Sequence, residues 1–417
     1  MPSNNENAEP SIKRLLGGTV VTPNEVLEDT DVIVTDDLIT SIRPSGSSAD
    51  QAGIGEQLID CRGCYIFPGM IDIHSDYIEH MAAPRPGSIM DFSLALMETE
   101  RELISHGITT MFHSLSFYKH SEFGENPIRN PENIGKFLSE IENSHRDNHF
   151  IRHRFHARFE IDTLERVEEL MDYIRNKRIH LISFMDHTPG QGQYRDLETF
   201  RKTLKGYRNI SDSEVDKIVQ NHQQKDKLIF EDMKNIAELA HEMGIALASH
   251  DDDSVEKIAL VHEMGATISE FPITLDVARS ARSKGLHTIA GAPNILRGGS
   301  HSGNLSAEEA ILDGSITILC SDYYPPALLH GIFYMYRSHQ IPLNELVNLV
   351  SLHPAKAVGM DDQTGSIELG KKADLIIVNT IAKPNSVNPE YPVIKSAIVN
   401  GVQVYSANYR CDTGGLS

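Results

Sequence analysis

Cysteine is scarce in this chain. Its four thiols, Cys61, Cys64, Cys320 and Cys411, fall at irregular spacing, which argues against a disulfide framework. Basic residues are also few: 38 lysines and arginines stand against 59 acidic residues, a net charge of −21. That balance argues against nucleic acid and anionic membrane as partners and predicts a self-repelling surface. No apolar run approaches the roughly 20 residues that a membrane-spanning helix requires. The polar start MPSNNENAEPS lacks the basic and apolar regions of a signal peptide, so a cytoplasmic setting is expected. Internal repeats and low-complexity tracts are absent. Cys61-Arg62-Gly63-Cys64 has redox spacing but neither a thioredoxin-like context nor further zinc ligands nearby, and reads as structural.

At 417 residues the chain is long enough for one barrel-sized domain plus an accessory unit. Residues 1–11 read as a polar tail. RLLGGTVVTP, DVIVTDDLITSIRP and QLIDCRGCYIF give short strands broken by Gly, Pro and Asp, and GSIELGKKADLIIVN returns to strands near the end. A discontinuous small β domain over 12–66 plus 366–410 is expected. Between them, strand and helix patterns alternate eight times, with strands at Ile71–Asp76, Ile108–Ser114, Phe155–Ile161, His180–His187, Ile245–His250, Ala266–Phe271, Thr288–Asn294 and Ile316–Asp322. Amphipathic stretches such as EDMKNIAELAHEMG end at glycine, as helices do. This α/β pattern predicts a (β/α)8 TIM barrel over 67–365. An open doubly wound sheet would not converge residues from its first and last strands. An insertion around 188–230 is too long for one loop, and Ser211 with Glu214 forms a capping box for an added helix. It reads as a lid or as a solvated excursion.

The strand ends carry the chemistry. PGMIDIHSD places His74 and Asp76 two positions apart, on one strand face. RFHARFEI, SFMDH, ALASHDD and ITILCSDYY add Glu160, His187, His250 and Asp322. One such histidine means little; six residues from five strand ends point to a metal centre. Nitrogen and oxygen ligands suit one or two ions of zinc, Mn, Fe, Co or Ni. The plainer alternative makes His187 a supporting or substrate contact beside a single ion. GAPNILRGGSHSGN after the seventh strand offers Arg297, Gly298, Gly299, Ser300, His301, Ser302 and Asn304 where barrels commonly cradle phosphate. Arg85 and Arg158 near other strand ends, with Arg279 and Arg282, extend the basic set. His113 is expected to line the pocket, Asp251 to Asp253 to support it and begin a helix, and Glu270 to contact substrate or shape its strand end.

These strings resemble the amidohydrolase superfamily. PGMIDIHSD and GSIELGKKADLIIV are similar to its first barrel strand and returning β domain. HSDYIEH with APRPG, RFHARFEI, FMDHTPGQ, ASHDDD, SEFPITLDVARSARSKG, GAPNILRGGSHSGN and SDYYPPALL, spanning Pro68 to Leu329, are similar to its phosphonate-metabolism branch. The wider superfamily's HxH appears here as His74-Ser75-Asp76, in keeping with that branch. The resemblance implies hydrolysis of a phosphorylated ribosyl substrate, a 5-triphosphate, to the 5-phosphate and pyrophosphate. It implies Asp322 as the catalytic aspartate managing the proton of a metal-activated water, and Glu160 as a bridging ligand. Rivals are a C–N amidohydrolase and, more remotely, a metal-free scaffold. A homodimer is compatible with all three.

Overall fold

A computed structural model describes residues 10–46, 55–85, 87–117, 127–192, 196–207, 210–299, 304–382 and 390–409. Most of the polar tail lies outside them. In the N-terminal part, β-branched runs broken by Gly, Pro and Asp form β1 (Ile12–Val21), β2 (Val26–Thr35), β3 (Leu38–Pro44), β4 (Glu56–Asp60) and β5 (Tyr65–Pro68). The chain then enters eight parallel strands: β6 (Met70–Ser75), β7 (Ile108–Phe117), β8 (Arg152–Glu160), β9 (Leu181–Met185), β10 (Ala246–His250), β11 (Ile268–Glu270), β12 (His287–Gly291) and β13 (Ile318–Cys320). Strands β14 (Leu375–Ala382), β15 (Glu390–Val399) and β16 (Val402–Ser406) return to the first sheet, where β14 lies antiparallel to β5. The accessory sheet is therefore discontinuous, with its own core of Leu15, Val32, Ile66, Leu375 and Ile398 among others.

The second sheet closes into a barrel. β6 and β13 join through a parallel bridge between Ser75 and Asp322: Asp76 N–H donates to the Asp322 carbonyl at 2.9 Å, and Asp322 N–H to the His74 carbonyl at 3.1 Å. The Asp72 carboxylate braces the seam, accepting the backbone N–H groups of His74 and Ser321, each at 3.2 Å. Barrel strands read as near-continuous apolar runs because both faces are covered. Ile71, Ile73, Phe112, Leu181, Ile268, Ile289 and Ile318 pack together. Gly69 is the hinge from sheet to barrel; a Cβ there would lie 2.2 Å from Thr109 Oγ1.

Several expected boundaries shift. The seventh strand stops at Gly291 instead of Asn294, because Pro293 opens a short helix, Ala292–Arg297, whose first turn needs no proline N–H. The fourth ends at Met185, the third begins at Arg152, and the eighth contracts to Ile318–Cys320. Within the insertion, the Ser211–Glu214 capping box starts helix Asp212–Gln223, which packs Val215 and Val219 on Phe200 and Leu204. Among the described residues, no helix is long and apolar enough to cross a membrane.

Barrel and accessory sheet are locked by an ion pair. Arg152, opening β8, reaches Asp374 at 2.6 and 3.0 Å and also bonds Asn400. Asp374 further accepts Thr364 Oγ1 at 2.6 Å and Asn400 N–H at 2.9 Å, and its side chain is 1 % exposed. Arg152→Met leaves that carboxylate buried without its cation, so urea unfolding should report a loss of about 3–5 kcal/mol; a loss below about 1 kcal/mol would show the pair to be dispensable.

Burial also discharges histidines across the barrel wall. Desolvation drives His113 far below its ordinary range, His156 and His180 down to about 3, and His106 and His145 down to about 4. Unfolded, each takes up a proton below about pH 6.5, so their contribution is complete above that value and is lost as pH falls toward 3–4. Burial pushes Asp72 up to about 6 and Asp322 to about 7, which acts in the opposite sense, but over fewer groups. The urea midpoint of metal-free protein should therefore fall from pH 7 to pH 5. A flat or rising midpoint would contradict this account.

Candidate active site

Three strand ends turn in the same unusual way. Asp251 after β10, Phe271 after β11 and Asp322 after β13 have φ of 50°, 54° and 58°, left-handed values that cost energy for residues with a Cβ. Each is held by its own backbone N–H: Asp251 to the Glu270 carbonyl at 2.8 Å, Phe271 to that of Ile289 at 3.0 Å, Asp322 to that of His74 at 3.1 Å. The ladder thus runs one residue past β10 and β11 and two past β13 while the chain bends over the barrel end. All three side chains line a cavity of about 600 Å³ there, with His74, Asp76, Arg158 and His250. His80, Asn294, Arg297, Gly299, Asn304 and Tyr323 complete the polar lining, and Pro272, Ile289 and Leu305 add apolar wall.

Ligand atoms gather in two groups. Those of His74, His250 and Glu270 lie within 4.8 Å of one another, as do those of His187, His250 and Asp251, so His250 belongs to both. Glu160 accepts a hydrogen bond from His187 Nδ1, while His187 Nε2 stands 3.9 Å from Asp251 Oδ2. Asp251 Oδ2 is 3.0 Å from His250 Nδ1 without hydrogen-bond alignment. Arg158 Nη2 approaches His250 Nε2 at 3.3 Å.

The electrostatics favour a cation. Asp76 Oδ1, Asp251 Oδ2 and His250 Nδ1 are buried with no hydrogen-bond partner among the described residues. Such atoms are costly unless a donor or an ion satisfies them. Burial first, and the Asp76 charge second, push Asp322 up to about 7. Burial lowers His74 well below its ordinary range, with Arg158 and His250 adding to the effect, so its imidazole is neutral and fit to ligate. Burial also opposes protonation of His187, but Glu160 and Asp251 outweigh it and raise that group. Oxygen and imidazole nitrogen donors without sulfur fit a divalent transition ion.

Of the expected ligands, His74, Asp76, His250 and Asp322 share the cavity lining, while Glu160 and His187 form a neighbouring pair. Arg158, Arg297 and Gly299 also line the cavity. Arg85 does not; it forms a bridge with Ser88 in the loop beyond β6. Gly298 caps helix Ala292–Arg297 at φ +72° with open space where a Cβ would sit, so it serves the turn and not a close approach. Ser300, His301 and Ser302 lie outside the described residues. Arg279 is committed to Asp313, and Arg282 to the Leu286 carbonyl. His113 leaves the pocket altogether, packing on Phe137 and bonding His153 at 2.9 Å. Sequence reasoning left Glu270 ambiguous and gave Asp251 only a supporting place. Their position as the last or next residue of a strand, like His250, was the available signal.

Comparison with known proteins agrees with this architecture. The model of the Amidohydrolase family matches residues 65–404. The chain is 33% identical over 334 residues to alpha-D-ribose 1-methylphosphonate 5-triphosphate diphosphatase of Escherichia coli K12, spanning 78% of this chain and 85% of that protein. A stretch of 95 residues is 34% identical to N-acetylglucosamine-6-phosphate deacetylase of Haemophilus influenzae, 23% of this chain and 20% of that one. Dihydropyrimidinase from Brevibacillus agri superposes with a TM-score of 0.61 at 17% identity, covering 95% of each chain. A Xaa-Pro dipeptidase with bound methionine gives 0.63 at 14% identity, covering 95% of this chain and 100% of that chain. At these identities the two structures share the fold.

Because His250 serves both ligand groups, His250→Ala should weaken retention of divalent metal at least about tenfold, whereas Glu160→Gln should spare part of it. Plasma emission analysis after dialysis checks this. Equal metal content in His250→Ala and wild type would remove His250 from the centre.

Proposed function

The chain belongs to the amidohydrolase family, and from that premise we propose that it is a metal-dependent diphosphatase. Its substrate would be a ribosyl 5-triphosphate of the alpha-D-ribose 1-methylphosphonate kind, cleaved to the 5-phosphate and pyrophosphate during phosphonate degradation. The observation that carries this reading is the 33% identity over 78% of the chain to a protein of that name. The cavity's cations support it. Arg158 and Arg297 both line it; Arg158 bonds Met185 and His250, Arg297 bonds Tyr323, and neither has a carboxylate partner among the described residues. In a chain of net charge −21 such uncommitted guanidinium groups oppose the overall field.

A divalent ion, zinc in this proposal, supplies Lewis acidity that brings a water's pKa to about 7. His74, Asp76, His187, His250, Asp251 and Asp322 are the residues to hold it, with Glu160 supporting His187. The chain's own part is largely electrostatic. Pyrophosphate departs readily once its charge is neutralised, so the planar donor forks of Arg158 and Arg297 matter more than a strong acid. Asn294, Asn304 and His80 offer further hydrogen bonds to phosphate and ribose oxygens. Asp322, at the cavity rim beside Asp76, suits the role of proton acceptor. The buried free thiols of Cys61, Cys64 and Cys320 suit a reducing, cytoplasmic setting.

Cleavage of a C–N bond is the second reading, favoured by the 95-residue stretch of likeness to a deacetylase. An amine leaving group needs a proton donor, and two guanidinium groups without a carboxylate partner among the described residues serve that need poorly. Phosphorus NMR of ribosyl triphosphates with metal-loaded protein in labelled water should show equimolar pyrophosphate and 5-phosphate. Asp322→Asn should cut kcat by about 10²–10⁴-fold with metal retained. Amine or ammonia released from an amide substrate, with no pyrophosphate from the triphosphate, would replace this reading by the second.

A further inference from the structure

Beneath the cavity runs a line of polar side chains that the proposed chemistry does not use. His74 Nδ1 lies 2.9 Å from Glu270 Oε1, and Ser183 Oγ donates to Glu270 Oε2 at 2.7 Å. His156 Nε2 bonds Ser183 Oγ and stands 3.7 Å from Glu270 Oε1. His156 Nδ1 lies 2.9 Å from Ser114 Oγ, which accepts the backbone N–H of Ser75 at 3.0 Å. Every member is buried: His74 and Ser75 are 1 % exposed, and Glu270, Ser183, His156 and Ser114 are 0 %.

With Glu270 ionised and His156 neutral, counting hydrogens selects one direction, the 2.9 Å contact of Ser114 Oγ with His156 Nδ1 taking precedence over its 3.4 Å contact with the Phe112 carbonyl. A carboxylate only accepts, so Glu270 takes one hydrogen from His74 Nδ1 and one from Ser183. Ser183 has a single hydroxyl hydrogen and spends it there; it must therefore accept from His156 Nε2–H. A neutral imidazole protonated at Nε2 has a bare Nδ1, which accepts the Ser114 hydroxyl. Ser114 in turn accepts Ser75 N–H. The line starts at the His74 ring and ends on the backbone of the next residue, crossing β11, β9, β8 and β7 before returning to β6.

We propose that Glu270, Ser183, His156 and Ser114 are positioning residues. Their one-way hydrogen-bond line holds His74 as the Nδ1–H tautomer, leaving Nε2 as the lone-pair nitrogen for a metal ion. The proposal deepens the metal-centre reading and rests on it. Carboxylate partners of this kind raise the basicity of a ligating imidazole and fix its orientation, and their loss typically weakens metal binding about 10–100-fold. It also decides between two roles for Glu270, whose carboxylate stands close enough to His74 and His250 to ligate an ion itself.

Cobalt(II) added to metal-free protein tests this through affinity and the visible ligand-field bands, with circular dichroism reporting the fold. His156→Gln keeps a donor at one end and an acceptor at the other, and should bind cobalt within about threefold of wild type. His156→Leu keeps neither and should bind 10–100-fold more weakly with altered band intensities. Ser183→Ala should behave alike, and serves if the leucine variant fails to fold. Glu270→Gln should keep a weakened cobalt spectrum. Wild-type affinity and bands in both His156→Leu and Ser183→Ala overturn the proposal. Complete loss of cobalt from folded Glu270→Gln also overturns it, by making Glu270 a ligand. The expected cobalt series in protein that releases no pyrophosphate upholds the positioning line and overturns the diphosphatase reading. Pyrophosphate release from protein whose cobalt binding ignores the substitutions does the reverse.

Discussion

Everything functional in this molecule depends on the seam between β6 and β13. The two strands are separated by more than 240 residues, yet the Ser75–Asp322 bridge and its pair of backbone hydrogen bonds bring His74, Asp76 and Asp322 to one rim. Without closure, Asp322 would stand at the far edge of an open sheet. The Asp72 carboxylate, buried and bonded to backbone on both strands, makes the seam a specific register and not a loose apposition.

Closure has an electrostatic consequence. It gathers Asp72, Asp76, Asp251, Glu270 and Asp322 at one end of a barrel whose walls exclude water. Without an ion, carboxylates crowded there hold protons more readily, as the raised Asp72 and Asp322 do; positive charge among them favours the ionised form. Neutral imidazoles and orphaned buried oxygens prepare the second outcome. The net charge of the chain is −21, and Arg158 and Arg297 place two cations at the cavity beside Asp76, Asp251 and Asp322.

Much of this was legible in the chain itself. Apolar runs of strand length, alternating with amphipathic stretches that stop at glycine, point to a (β/α)8 barrel, and polar residues at the ends of those runs identify the rim. Boundaries moved where a local rule outranked hydrophobicity: Pro293 turned the expected end of the seventh strand into a helix. Arg279, Arg282 and His113 were misplaced for another reason. Arg279 and Arg282 lie on the helix Leu275–Ser283 and follow its faces and not a strand end, while His113 lies within β7, where a one-residue change of register decides which side of the barrel wall it faces. Arg279 found Asp313 instead, and His113 turned outward to His153.

By itself, the sequence determined which residue types stand at strand ends, because hydrophobic burial dictates where strands run and where they stop. That was sufficient for the barrel and the family likeness, and for naming candidate metal ligands. Only the tertiary structure decided the groupings: His250 shared by two sets of ligand atoms, Glu160 drawn to His187, Glu270 bonded to His74 across the barrel interior. Those pairings depend on the stagger of neighbouring strands and on left-handed turns at Asp251, Phe271 and Asp322, and such geometry exists only once the sheet has closed.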